Sequence, residues 1–150
     1  MTPGEFTEPR LLTPRLLSIN QMGAIKELTK RLHTAGRIED ALAFFQAVLE
    51  REYMLNAAPE KGVVFPHARG YAVNSLSFAV GLSAEGVPWG NQKGDRAHVI
   101  FLLAVPLSEA QRYLNLLSRL SRFVQDESQL SAFRECTQPE QMLAVLDSLP

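Results

Sequence analysis

The chain has 150 residues, 46% hydrophobic and 21% charged, with a formal net charge of −1. That fits one globular domain with a single sizeable core. It gives no electrostatic case for nucleic-acid binding, and no apolar run approaches the roughly 20 residues that a membrane span needs.

A lone cysteine, Cys136, excludes an intramolecular disulfide and fits a reducing cytoplasm. With no Gly-rich phosphate loop and no paired metal-ligand spacing, neither a cofactor nor a metal is expected. The N-terminus, Met-Thr-Pro-Gly-Glu-Phe, lacks the pattern of a signal peptide. Residues 1–9 carry two prolines and read as a loose leader to one domain spanning 10–150.

Leu11 to Ile19 reads as a first strand, with Pro14 arguing for an edge position. Ser18, Asn20 and Gln21 signal a helix start; Met22, Ile25, Leu28 and Leu32 supply its stripe and Gly36 closes it. Gly23 weakens that helix by about 1 kcal/mol relative to alanine. A second helix opens on Glu39 and Asp40, carries Ala41, Phe44, Phe45, Val48 and Leu49 at core-facing spacing, and runs out near Leu49-Glu50-Arg51-Glu52. Arg51 lies off that stripe: either it is a solvated side chain complementing the helix C-terminus, or it reaches toward His67. Residues 53–62 read as a loop broken by Pro59 and Gly62.

Lys61-Gly-Val-Val-Phe-Pro-His-Ala-Arg69 follows. Val63, Val64 and Phe65 suit a short buried strand, and Pro66 stops it because proline has no N–H to donate. His67 comes immediately after, where a histidine is held by the sheet and still reaches solvent; the plain alternative is a polar loop residue beside a turn. Asn74 to Ser83 alternates, with Leu76, Phe78, Val80 and Leu82 on the buried face of an antiparallel strand. Val87-Pro88-Trp89-Gly90 and Lys93-Gly94-Asp95 are turn chemistry. Ala97 to Val105 is almost continuously apolar, as in a central strand covered on both faces. His98 within it reads as a hydrogen-bonded sheet residue.

The last third is helical. Ser108 with Gln111 is a capping-box pattern for a helix faced by Ala110, Tyr113, Leu114, Leu116, Leu117, Leu120, Phe123 and Val124. Arg112, Arg119 and Arg122 lie off that face and read as solvated. Asp126 suits the cap of a short helix with Leu130 and Phe133. Thr137 with Glu140 suits another cap, with Pro139 in the first turn and Met142, Leu143 and Leu146 packing inward. Cys136, beside Glu135, reads as structural. The resulting fold class is α/β, a small mixed sheet flanked by helices on both sides.

Val-Phe-Pro-His-Ala-Arg, residues 64–69, resembles the phosphorylation-site motif of the enzyme IIA domains of the fructose–mannitol class of the bacterial phosphotransferase system, and the similarity covers roughly residues 10–149. The resemblance implies the IIA fold and a phosphoryl-carrier activity. His67 would accept a phosphoryl group from the phosphocarrier HPr and pass it to a cysteine or histidine of a IIB protein. It also implies that Arg51, from an Arg-Glu pair at the end of the preceding helix, stabilises the phosphoryl group, with Arg69 a weaker candidate.

Tyr113 occupies the place of the family's common second histidine. Its hydroxyl can donate a hydrogen bond but cannot carry positive charge near pH 7. Ala57, Glu60 and Val64 also depart from the family pattern. Phe65, Ala68 and Tyr71 are candidates for a docking surface around His67. The rival reading is a regulatory IIA-like module that binds partner proteins, with or without phosphorylation. A hydrolase using His67 as general base lacks a serine, cysteine or acid partner in motif spacing.

Overall fold

The apolar run around residues 97–105 forms the spine of the fold, strand β5 (Arg96–Pro106), buried without interruption from Val99 to Val105. The structure, a computed structural model, describes residues 2–70 and 72–150. On one side of β5 lies β4 (Ser77–Pro88), antiparallel, with Ser77 opposite Ala104 and Pro88 opposite Arg96. On the outer side of β4 lies β1 (Leu12–Thr13), parallel. The other side of β5 takes two short parallel strands, β2 (Val63–Val64) and β3 (His67–Gly70). The sheet is therefore mixed, ordered β1-β4-β5-β2 with β3 also on β5.

Successive side chains of a strand point to opposite faces, so the sheet has two cores. Val99, Phe101, Leu103 and Val105 join Phe78, Val80 and Leu82 beneath α3 (Ala110–Gln125), α4 (Glu127–Arg134) and α5 (Pro139–Asp147). Ile100, Leu102, Ala104 and Ala79 face α1 (Gln21–Thr34) and α2 (Ala41–Leu55). This is the expected α/β arrangement, helices on both faces. Phe101 centres the first core, stacked on Phe65 at 5.2 Å and on Phe133 at 6.0 Å, with Phe78 tilted at 5.9 Å and Phe123 edge-on at 6.5 Å.

Several boundaries differ from the sequence reading. The first strand lies at the sheet edge, but only Leu12–Thr13 pair, because Pro14 ends the ladder. Beyond it the Leu16 N–H still donates to the Leu82 carbonyl, and the Glu27 carboxylate accepts from the N–H groups of Leu17 and Ser18 and from the Ser18 hydroxyl. Both faces of β4 are buried from Ser77 to Leu82, since Ser77 and Ala79 are fully covered and Leu16 packs over Gly81. That strand also absorbs Val87-Pro88, leaving Trp89 buried just beyond it.

In α1, capped by Asn20, the buried stripe uses Ala24 and leaves Met22 half-exposed. Helix α2 continues past Glu52 to Leu55 and ends on Asn56 in the left-handed region, φ 46°. Asp126 caps as expected, and Asp40, expected only as charge at the helix start, caps α2 by accepting from the Ala43 N–H. Ser108 instead lies in a 3-10 turn, Leu107–Glu109, and the last helix starts on Gln138 with Gln141 closing the box. Arg112 pairs with Glu109 and lies over the Phe6 ring. The leader is packed, not loose: Pro3–Phe6 forms a 3-10 turn, Phe6 enters the core, and the Thr7 hydroxyl donates to the Phe78 carbonyl at 2.8 Å.

Phe101→Ala is expected to destabilise the fold by about 3–5 kcal/mol, the cost of an aromatic-sized void, read from urea unfolding.

Candidate functional site

Pro66 governs the local backbone. With no N–H it ends β2, yet its carbonyl accepts from the Leu103 N–H at 3.0 Å. Pairing resumes at once, His67 opposite Leu103 and Ala68 opposite Ala104. His67 is thus the first residue of a second strand segment, not the residue beyond a strand end. The ring is held from two directions. Nδ1 lies 3.3 Å from the Phe65 carbonyl, and the Tyr113 ring sits 5.2 Å away, tilted by 35°. A carbonyl only accepts, so this contact assigns the proton to Nδ1 and leaves the Nε2 lone pair free in the neutral ring. Burial lowers the His67 pKa, the Phe65 carbonyl opposes that by favouring the protonated ring, and the Arg51 charge lowers it further. The imidazole is therefore neutral at pH 7.

Helix α2 brings up the arginine. Ala47, Glu50, Arg51 and Met54 recur at three- and four-residue steps and form one wall of an open depression of about 610 Å³. His67, Ala68, Arg69, Val105, Leu107 and Tyr113 complete it. Among the described residues, no carboxylate lies within ion-pair distance of Arg51 or Arg69. Both arginines are exposed and line the same depression as His67, and the Arg51 charge is felt at the ring. Tyr113, in the first turn of α3, keeps its proton across the neutral range because burial raises its pKa, although Arg51 pulls the other way. The arrangement offers a nucleophilic nitrogen, two cations and a neutral hydroxyl, a set suited to a tetrahedral dianion. It lacks the ligands of a metal site: among the described residues no group of three or more His, Cys, Asp or Glu is placed to hold an ion.

The other candidates take different places. Phe65 is partly buried and stacks on the core ring of Phe101. Ala68 is only 6% exposed and packs on the α1/α2 side. Ala68 therefore offers little of the surface expected of it, Phe65 keeps part of its surface in a cavity shared with His67, and Tyr71 lies outside the described residues. The exposed apolar groups at the site are instead Met54 and Leu55 at the end of α2, at 80% and 57%, with Leu107 at the rim. His98 bonds the Ser83 carbonyl at 3.0 Å as a sheet residue. Cys136 is part-buried with its thiol pKa raised by burial.

A second cavity, about 210 Å³, also reaches His67 and is lined by Glu52, Glu60, Phe65 and Trp89 among others. Sequence reasoning missed Glu52 and Trp89. The Trp89 indole N–H donates to Glu52 at 3.2 Å, and burial raises the Glu52 pKa. The signal was present: Phe44, Val48 and Glu52 are spaced i, i+4, i+8, which sets a carboxylate on the apolar stripe once α2 is carried to Leu55.

Comparison with known proteins bears on this geometry. The family model described as "Phosphoenolpyruvate-dependent sugar phosphotransferase system, EIIA 2" matches residues 7–149. A fructose-specific EIIA component of Haloferax volcanii is 32% identical over 129 residues, covering 82% of this chain and 84% of that protein. The 2-O-alpha-mannosyl-D-glycerate-specific EIIABC component of Escherichia coli is 32% identical over 126 residues, 83% of this chain; the match spans 19% of that protein's length. The crystal structure of the nitrogen regulatory protein IIA-Ntr from Neisseria meningitidis shares the fold, with a TM-score of 0.83 at 21% identity over 95% of this chain and 97% of that one. No described helix is long and apolar enough to cross a membrane. The chain belongs to the EIIA 2 family of the phosphoenolpyruvate-dependent sugar phosphotransferase system.

Proposed function

We propose that the protein is a histidine phosphoryl carrier acting in the cytoplasm, with His67 as acceptor, phospho-HPr as donor and a IIB protein as the next acceptor. The observation that carries this reading is the placement of the His67 ring. Its Nδ1 proton is turned to the Phe65 carbonyl, and Arg51 and Arg69 line the same depression. Nε2 attacks the phosphorus of the donor's phosphohistidine. The new N–P bond forms as the donor's N–P bond breaks, and the donor nitrogen recovers its lone pair. The Phe65 carbonyl keeps hold of the Nδ1 proton as the ring gains positive character. Arg51 and Arg69 meet the charge on the phosphoryl oxygens, and the Tyr113 hydroxyl donates to one of them. Passage to IIB reverses these roles. Met54, Leu55 and Leu107 supply the apolar rim against which each partner docks.

A regulatory role for the same phosphorylation is the second reading, favoured by Tyr113. A neutral phenol stands where a second imidazole would add positive charge, so transfer is slower and the phosphorylated state serves better as a signal than as a relay in uptake.

Incubation with phosphoenolpyruvate, enzyme I and HPr is expected to add one acid-labile phosphoryl group by intact mass, absent in His67→Ala; no adduct with active HPr overturns the carrier reading. Arg51→Ala is expected to slow phosphorylation by about 10²-fold, the scale of one lost charge-stabilising donor. Tyr113→Phe is expected to slow it about two- to tenfold, as for a neutral hydrogen bond.

The lowered His67 pKa also predicts a pH effect on stability. Its contribution is fully present above the unfolded value near 6.5 and is lost as pH falls through the folded value. Urea midpoints measured at pH 7.5 and 5.5 are expected to drop more in the wild type than in His67→Gln.

A further inference from the structure

Consecutive residues on an α-helix point about 100° apart. At the end of α2 this sends Arg51 to the His67 depression and Glu52 into the protein. The Glu52 carboxylate accepts from the indole of Trp89, which is 2% exposed, and at 3.4 Å from the Gln21 side-chain amide. Gln21 in turn accepts from the Gly90 N–H at 3.0 Å. One carboxylate therefore ties together the start of α1, the last turns of α2 and the turn between β4 and β5. The apolar stripe of α2 ends at Val48 and Leu49, and Tyr53, Met54 and Leu55 beyond it are exposed. Apolar packing thus does not hold the turn that carries Arg51.

We propose that Glu52 is a positioning residue: held by Trp89 and Gln21, its carboxylate fixes the last turns of α2 so that Arg51 is presented to His67. The inference takes its catalytic meaning from the carrier reading, but its test needs no phosphoryl donor. The charged and titratable groups around Glu52 are Arg51 and Tyr53 beside it, Tyr53 sharing a depression with it and Gln21, and Glu60 and His67 on the walls of the cavity on its other flank.

The experiment is NMR titration of the His67 ring in Glu52→Gln and Glu52→Ala, each with and without Arg51→Ala. The two Glu52 variants remove the same charge, but only glutamine keeps an acceptor for the indole. If Glu52 positions Arg51, the His67 pKa is higher in Glu52→Ala than in Glu52→Gln by roughly half a unit, because the arginine no longer opposes protonation. The gap closes in the Arg51→Ala background. Equal values in the two variants, or a gap that persists without Arg51, overturn the proposal.

Should Glu52→Ala fail to fold, Gln21→Ala and Trp89→Phe each remove one donor and keep the carboxylate. Both are expected to raise the His67 pKa only when Arg51 is present, and no movement in either overturns the proposal. In the transfer assay, Glu52→Ala is expected to lower the maximal rate toward that of Arg51→Ala with the KM for phospho-HPr unchanged; an unchanged rate overturns it. A wild-type protein that accepts no phosphoryl group overturns the carrier reading alone, and the titration still decides the role of Glu52.

Discussion

The site depends on a single missing N–H. A chain passing along β5 from Val63 to Gly70 would form one continuous edge strand if residue 66 donated to the ladder. Proline cannot, so the strand breaks and resumes one residue later with its partner unchanged. The break turns the Phe65 carbonyl to the His67 ring, while Leu103 holds the Pro66 carbonyl from the other side. Ring orientation, tautomer and half-burial all follow. A histidine inside an unbroken strand would have its backbone fixed equally well but no main-chain oxygen facing Nδ1.

The two cores give this break its rigidity. Phe65 and Ala68, which flank Pro66 and His67, are anchored on opposite faces of the sheet, one stacked on Phe101 and the other packed toward α1 and α2. Rotation of the segment about its own axis would expose one of them. Each face lends the site a helix. The upper sheet face brings the first turn of α3, hence Tyr113, and the opposite face brings the end of α2, hence Arg51. Groups remote in sequence converge because the strand between them is locked to both layers.

What was readable in the chain divides along physical lines. The long apolar run of β5, the existence of β4 as its antiparallel neighbour, the acidic start of α2 and the cap Asp126 are local signals, and local chemistry determined them. The resumption of pairing at His67 was not readable, because His-Ala-Arg-Gly has little strand propensity and owes its conformation to the open edge of β5. The end of α2 was misjudged for a related reason: its apolar stripe fades at Leu49, and the helix continues on contacts made by Glu52 and on the left-handed Asn56. The burial of Ser77 and the packing of Phe6 depend on neighbours far away in sequence. Of the candidate site, the histidine and the arginine were legible from the motif and its resemblance. Which apolar groups stay exposed around them was not, since that is decided by how helices end on the sheet.

The Glu27 carboxylate, which captures the free N–H groups just beyond β1, has a consequence for association. Open sheet margins invite strand addition from other chains, and proteins suppress it with short, charged or interrupted borders. Here one margin is a two-residue strand whose continuation is already occupied by a side chain, and the other is cut by proline. Backbone zippering is thereby disfavoured at both borders. Recognition of this surface is thereby biased toward side chains rather than main-chain pairing.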